Sequence, residues 1–162
     1  MDMIGSPAPP VGDAMEGQGY YNTHSRPQAA AASQGHAMFA RAAELTRAPP
    51  DGAPIVIADF GSSEGRNSLA PVGAAVRVLR RCQRTPICVV HVDRPGNDFA
   101  SLFGLLRRDP ESYLAAAEGV FTYATGGSFY EPVFPAGHVS LAWCSIALHW
   151  LSALPELSLI HI

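Results

Sequence analysis

The chain has 162 residues, with 11 basic and 14 acidic side chains and a formal net charge of −3. Hydrophobic residues make up 48 % of it and charged residues 15 %, a composition that supports one buried core and argues against a disordered chain. Every basic residue is an arginine, which excludes a Walker-type phosphate loop, and the acidic balance is unfavourable for nucleic-acid binding.

The cysteines and the chain ends indicate the compartment. Cys82, Cys88 and Cys144 are odd in number and lack the spacing of a disulfide framework or a zinc knuckle. The six histidines fall in no metal-ligand spacing, so we expect no metal site. We see neither a signal peptide nor an apolar stretch of about 18 residues, and we expect a cytoplasmic protein without a membrane partner.

The first third of the chain changes character twice. Residues 1–19 are rich in Pro and Gly and are expected to form a mobile leader. Residues 20–52 form an N-terminal helical segment, because apolar residues recur at helical spacing over 29–47 and a Pro-Pro-Asp-Gly run ends the helix. The β-branched run from Pro54 to Gly61 is typical of a strand buried on both faces.

Residues 53–162 are expected to form the core of the domain. After the strand at 54–61 comes a Gly/Ser loop, and then a helix over 67–84 with one apolar stripe. The remaining elements are predicted in this order: a strand at 87–92, helices at 97–108 and 110–118, a strand at 120–123, a loop at 126–137, a strand at 139–143, and a helix through Leu151. This alternation indicates right-handed βαβ units and a parallel sheet.

Ligands of open α/β sheets bind beyond the carboxyl ends of the strands. The glycine-rich loop that begins at Gly61 and the acidic residue Asp93 both follow predicted strands, as does Gly126-Gly127. A loop of this kind admits a ligand close to the backbone, and the carboxylate accepts hydrogen bonds from ribose hydroxyls. The pattern favours a nucleoside-containing ligand, with an ordinary turn glycine and a capping Asp93 as the alternative.

The same loop admits a second function. Gly61-Ser62-Ser63-Glu64-Gly65 matches the nucleophile elbow of α/β hydrolases, with Ser63 as the nucleophile. Asp93 or Asp109 would be the acid, and His138 or His149 would be the base. His91, in contrast, lies within a predicted strand and is interpreted as a hydrogen-bonded histidine of the core or of a sheet edge.

Four motifs follow one another along residues 15–155. They are Y-Y-N-T-H-S-R-P-Q ending at Gln28, A-D-F-G-S-S-E-G-R-N ending at Asn67, D-R-P-G-N-D-F beginning at Asp93, and G-S-F-Y beginning at Gly127 with L-H-W-L-S ending at Ser152. In this order they resemble the SABATH family of S-adenosylmethionine-dependent carboxyl methyltransferases. The resemblance implies a class I methyltransferase fold, a Rossmann-like doubly wound α/β sheet, truncated before the later strands and most of the helical cap.

The resemblance also implies roles for individual residues. Those expected to bind S-adenosyl-L-methionine are Tyr21, Ser25, Asp59, Gly61, Ser62, Asn67, Asp93, Arg94, Ser128 and Phe129. Those expected to bind a small aromatic or apolar carboxylic acid are Gln28, Ile146, His149 and Trp150, with Trp150 as helix core the alternative. No catalytic acid or base is expected, because a carboxylate is already ionised at pH 7 and methyl transfer depends on positioning.

The resemblance leaves two further expectations. It implies a homodimer for the full-length protein, and the arginine-only, alanine-rich composition favours a bacterial source. Because only half of the family's usual length is covered, an inactive cofactor-binding fragment is a third hypothesis beside the methyltransferase and the hydrolase.

Overall fold

Four parallel strands organise the structure, a computed structural model that describes residues 26–128 and 130–147, with side chains from residue 32 onward. The strands are β1 (Ile55–Phe60), β2 (Ile87–Asp93), β3 (Val120–Gly126) and β4 (Leu141–Cys144). They lie in the order β3-β2-β1-β4, and each neighbouring pair is parallel. The predicted parallel α/β arrangement is confirmed, although β3 extends three residues beyond its predicted end at 123.

Within residues 26–128 and 130–147, four helices connect the strands or precede them. They are α1 (Arg26–Leu45), α2 (Leu69–Cys82), α3 (Phe99–Arg108) and α4 (Tyr113–Ala116), and a 3₁₀ turn over Arg66–Ser68 leads into α2. Helix α4 is shorter than the predicted 110–118. Asp109, which precedes Pro110, has extended ψ, as residues before proline commonly do, and Ala117 is extended as well.

The core lies between the sheet and the helices. All five residues from Ile55 to Asp59 are buried, in agreement with the predicted doubly covered strand. The apolar stripe of α2 is buried as predicted, and it consists of Leu69, Val72, Val76 and Leu79. Burial of each such side chain contributes about 1.5 to 3 kcal/mol, so this stripe fixes α2 against the sheet.

The strand register brings the carboxyl ends of the strands to one edge. Asp59 pairs with His91 and Phe60 with Val92, while Asp93 pairs with Gly126. On the other side of β1, Phe60 pairs with Cys144 at the end of β4. The loops that follow all four strands therefore start from the same edge, as the sequence predicted.

Two predicted elements lie outside the described residues: the leader at 1–19 and most of the helix expected through Leu151. The described residues 145–147, which directly follow β4, are not helical. No helix within the described ranges has the length and hydrophobicity needed to cross a membrane.

Candidate functional site

The loop after β1 is wound tightly by residues with positive φ. Gly61 and Gly65 have φ of 74° and 88°, values that cost glycine little. Between them Ser63 has φ of 48°, which is uncommon for a residue with a side chain. The Gly61 and Ser62 amides donate to Val92 O at 2.8 and 3.3 Å, so the loop crosses over the end of β2.

Asp93, the last residue of β2, holds this loop in place. Its Oδ2 accepts a hydrogen bond from the Ser63 amide at 2.7 Å, and its Oδ1 accepts one from the Arg94 amide at 2.8 Å. Asn97 Nδ2 donates to the Ser63 carbonyl at 2.8 Å. Both backbone groups of Ser63 are therefore bonded, which offsets its backbone strain. Each Asp93 oxygen retains a second lone pair, so the carboxylate can accept further hydrogen bonds.

Asp59 has a different environment from Asp93. It is 2 % exposed, and its Oδ2 lies 2.8 Å from Nδ1 of His91, which is fully buried. His91 Nε2 lies 2.7 Å from the Tyr113 hydroxyl, and the hydroxyls of Tyr113 and Thr122 are hydrogen-bonded at 2.8 Å. The interpretation of His91 as a hydrogen-bonded core histidine is confirmed, whereas the involvement of Tyr113 and Thr122 was not predicted.

A small cavity opens beside β1 at this edge. Its walls include Asp59, Gly61, Ser62, Asn67 and Ile146, all predicted binding residues. The Ser62 hydroxyl is buried and has no hydrogen-bond partner among the described residues. A buried hydroxyl without a partner is costly, so Ser62 Oγ is suited to bind a ligand polar group in the cavity.

Trp143 is a wall of the cavity that the sequence analysis did not identify. It lies in β4, and its ring packs on Phe39 of α1 with centroids 4.9 Å apart. Ala32 of α1 also lines the cavity, so one helix and two strands shape it. An adjoining open groove of about 880 Å³ between α1 and β4 shares Ala32 and Trp143 with the cavity. Trp143 was visible in the sequence, but its packing against α1 depends on how β4 pairs with β1.

The other predicted site residues are placed less centrally or lie outside the described part. Arg94 is exposed beyond Asp93, and Ser128 is half-buried with its Oγ accepting from the Tyr130 amide at 3.2 Å. Neither residue lines the cavity. The predicted residues outside the described part are Tyr21, Ser25, Phe129, His149, Trp150 and the side chain of Gln28.

The two acids of the hydrolase hypothesis and one of its two histidines have other partners. Asp93 accepts the two backbone hydrogen bonds given above, and Asp109 is paired with Arg66. His138 is exposed and stacks on Phe134, with ring centroids 6.1 Å apart. Ser63 is 4 % exposed. Within the described residues there is also no group of three or more His, Cys, Asp or Glu side chains that could hold a metal ion.

Burial and charge affect one further group at this edge. Burial raises the pKa of the Cys144 thiol at the end of β4, and the nearby charge of Asp59 raises it further.

A parallel α/β sheet with a glycine-rich loop and two carboxylates at its carboxyl edge defines a nucleoside-binding class of protein. The sequence profile of the family described as "SAM dependent carboxyl methyltransferase" matches residues 13–160. The chain therefore belongs to this family, and its fold is that of an α/β methyltransferase. The bacterial origin inferred from composition stays a prediction.

Individual relatives agree with this assignment. Gibberellic acid methyltransferase 2 of Arabidopsis thaliana is 35 % identical over 115 residues, covering 65 % of this chain and 29 % of the relative. Loganic acid O-methyltransferase of Catharanthus roseus is 37 % identical over 108 residues, covering 64 % and 27 %. A solved structure, "Loganic acid methyltransferase with SAH", matches with a TM-score of 0.67 and 31 % identity, covering 84 % of this chain and 39 % of its own.

These relatives are much longer than the region they share with this chain. The chain spans 29 % and 27 % of the two curated relatives and 39 % of the solved structure. The comparisons show the methyltransferase family and give no support to the hydrolase hypothesis.

Proposed function

We propose that the chain binds S-adenosylmethionine at the carboxyl edge of its sheet and serves the methylation of a small carboxylic acid. One observation carries the proposal. Four predicted cofactor residues (Asp59, Gly61, Ser62 and Asn67) line a single cavity, and in it the Ser62 hydroxyl lacks a partner among the described residues. The polar groups at this edge fit the cofactor, because its ammonium requires a carboxylate and its ribose hydroxyls require hydrogen-bond acceptors.

The proposal assigns separate parts of the cofactor to separate residues. The cavity residues would hold the methionine part, with Asp59 facing its positive charge. Asp93 would accept hydrogen bonds from the ribose through its remaining lone pairs, and Arg94 would lie beside the adenosine. Ser128 and Phe129 would flank the adenine. Tyr21 and Ser25 would close over the cofactor from the segment 20–52, a placement supported by Ala32 of α1, which lines the cavity.

Four residues would bind the substrate. Ile146 and His149 would line the acyl pocket, and the N–H groups of Gln28 and Trp150 would bind the substrate carboxylate. Ile146 is 40 % exposed at the rim of the cavity, where an apolar ligand could contact it. A small aromatic or apolar acid is therefore the proposed substrate class.

The residues of the chain would contribute binding and orientation. When bound, S-adenosylmethionine supplies an electrophilic methyl group to a carboxylate oxygen, and its sulfur retains the electrons of the broken bond. A carboxylic acid is ionised at pH 7, so the chain needs no general base. Holding the two bound reactants in the right orientation can supply much of the rate enhancement of such a transfer.

The proposal also includes the setting of the protein. We place it in the cytoplasm, without nucleic-acid or membrane partners, and as a homodimer in its full-length form. The net charge of −3 and the absence of lysine support the lack of a nucleic-acid partner.

The test is a calorimetric titration of the purified chain with S-adenosylhomocysteine. We expect saturable binding that weakens about tenfold or more in Asp93→Ala, because this change removes a charged acceptor. Asp51→Ala is the matched control, since Asp51 is an exposed acid in the turn before β1, at the opposite end of that strand. Circular dichroism establishes that each variant is folded. A folded wild-type chain that does not bind the ligand would refute the proposal.

A second variant separates the methyltransferase from the hydrolase hypothesis. Ser63→Ala keeps the backbone amide that donates to Asp93, so ligand binding should persist. A hydrolase that used Ser63 as nucleophile would lose all ester hydrolysis with the same change. Ester hydrolysis by the wild type that disappears in Ser63→Ala would favour the hydrolase.

A further inference from the structure

A network of hydrogen-bonded polar side chains runs from the cavity into the sheet. It begins at Asp59 in the cavity wall and continues through His91 and Tyr113 to Thr122. We propose that His91 and Tyr113 are positioning residues that hold the Asp59 carboxylate toward the methionine part of the cofactor. This inference rests on the proposed function and adds to it two residues that do not line the cavity.

The burial of these groups makes the hydrogen bonds necessary. Asp59 is 2 % exposed, and His91 and Tyr113 are fully buried. A buried carboxylate without donors would be strongly destabilised. The two ring nitrogens of His91 bond Asp59 Oδ2 and the Tyr113 hydroxyl, and that hydroxyl donates to Thr122 Oγ1. The Asp59 side chain is therefore linked to three other elements of the fold through His91.

The geometry leaves one Asp59 oxygen for the ligand. The contact with His91 uses Oδ2, and Oδ1 has no hydrogen-bond partner among the residues that the structure describes. Because Asp59 also lines the cavity, the side chain bonds to the protein through one oxygen and offers the other to a bound molecule. A ligand ammonium would be an appropriate partner for this oxygen.

Each residue of this hydrogen-bonded network lies on a different helix or strand, which makes the network rigid. Asp59 and His91 are neighbours in the parallel register of β1 and β2. Tyr113 begins α4, directly after Ser112, whose side chain accepts from the Leu114 amide and caps the helix. Thr122 lies in β3. Burial raises the pKa of the Tyr113 hydroxyl, which therefore stays protonated and able to donate.

The test must separate positioning from a general loss of stability. Tyr113→Phe removes only the Tyr113 hydroxyl, and Thr122→Val removes the Thr122 hydroxyl that is bonded to it. Val89→Ala is the matched control, because Val89 is fully buried in β2, two residues before His91, and makes none of these hydrogen bonds. Each variant of the full chain is measured for thermal unfolding and for ligand affinity by calorimetry.

Two ligands make the measurement specific to Asp59. S-adenosylhomocysteine carries the amino-acid part, and 5′-methylthioadenosine has the nucleoside without it. We expect Tyr113→Phe to weaken S-adenosylhomocysteine binding about fivefold to tenfold, a range typical of losing one buried hydrogen bond. Binding of 5′-methylthioadenosine should change less than about twofold. Val89→Ala should lower the unfolding temperature and leave both affinities nearly unchanged.

A conservative rescue at His91 completes the experiment. His91→Ala should lose affinity for S-adenosylhomocysteine, and His91→Gln should recover part of it because its amide can donate to Asp59. The inference would be overturned if Tyr113→Phe and Thr122→Val each weakened the binding of both ligands equally. It would also be overturned if their effects on affinity were no larger than those of Val89→Ala. Either result would leave the proposed function intact. A folded wild-type chain that binds neither ligand would refute both.

Discussion

The contact between the end of β3 and the turn after β2 gives a quantitative prediction. Gly126 is the last residue of β3, and a Cβ at this position would stand 2.8 Å from Pro95 Cα and 3.3 Å from Pro95 N. These are backbone atoms, so they cannot rotate away as a flexible side chain could. Gly126→Ala must therefore displace either β3 or the turn that follows Asp93.

The expected cost follows from two opposing effects. Forcing an extra carbon into a packed site costs about 1 to 3 kcal/mol, and replacing glycine by alanine returns about 0.4 to 1 kcal/mol by restricting the unfolded chain. We expect Gly126→Ala to lower the free energy of unfolding by about 1.5 kcal/mol. In a chain of this size that corresponds to a fall of about 3 to 6 °C in unfolding temperature.

Gly96→Ala is the matched control, because Gly96 belongs to the same turn and a Cβ there meets nothing within 4 Å. We expect this variant to unfold at the wild-type temperature or about 1 to 2 °C above it. The assay is thermal unfolding followed by circular dichroism, together with titration with S-adenosylhomocysteine. The Gly127 amide donates to the Asp93 carbonyl at 2.9 Å, so Gly126→Ala should also weaken binding. Equal unfolding temperatures for the two variants would contradict this account of the contact.

Three further predictions concern single side chains. Ser62→Ala should leave the unfolding temperature unchanged or raise it, because the Ser62 hydroxyl has no partner among the described residues. The same change should weaken S-adenosylhomocysteine binding about fivefold to tenfold, and a loss of stability without a loss of affinity would contradict this prediction. Asp98→Ala should lower the free energy of unfolding by about 1 kcal/mol and the unfolding temperature by about 2 to 4 °C, because Asp98 caps α3 by accepting a hydrogen bond from the Ser101 amide at 2.9 Å. An unchanged unfolding temperature would count against this role of Asp98. Burial raises the pKa of the Cys88 thiol, so its thiolate forms at higher pH; mass spectrometry after iodoacetamide treatment at pH 8 should show slower alkylation at Cys88 than at the exposed Cys82, and equal rates would refute this.

The elements were predictable because their signals are local. The β-branched run of β1 and the helical apolar stripe of α2 each lie within one continuous segment, and the structure places both close to the predicted bounds. The edge of the sheet was also predictable, since parallel strands leave all their carboxyl ends on one side. The placement of Gly61 and Asp93 at that edge follows from the strand order alone.

The hydrogen bonds across the sheet could not be read from the sequence. His91 meets Asp59, which is 32 residues away, and Tyr113, which is 22 residues away, so each contact depends on the strand register and on where α4 begins. A tyrosine directly after a capping serine gave no sign that its hydroxyl would point into the sheet. For the same reason the sequence analysis overlooked Trp143, whose position depends on the pairing of β4 with β1.

The two carboxylates at the sheet edge are supported in different ways, and the difference favours a ligand with two chemically distinct ends. Asp59 is bonded to the His91 side chain and lines a cavity, so it suits a compact cation. Asp93 is held by two backbone amides at a half-buried position, so it suits hydroxyl donors. Ser63, whose amide donates to Asp93, lies four residues after Asp59 and links the two positions through the backbone. A ligand with an ammonium at one end and a ribose at the other would satisfy both, which a plain nucleoside would not.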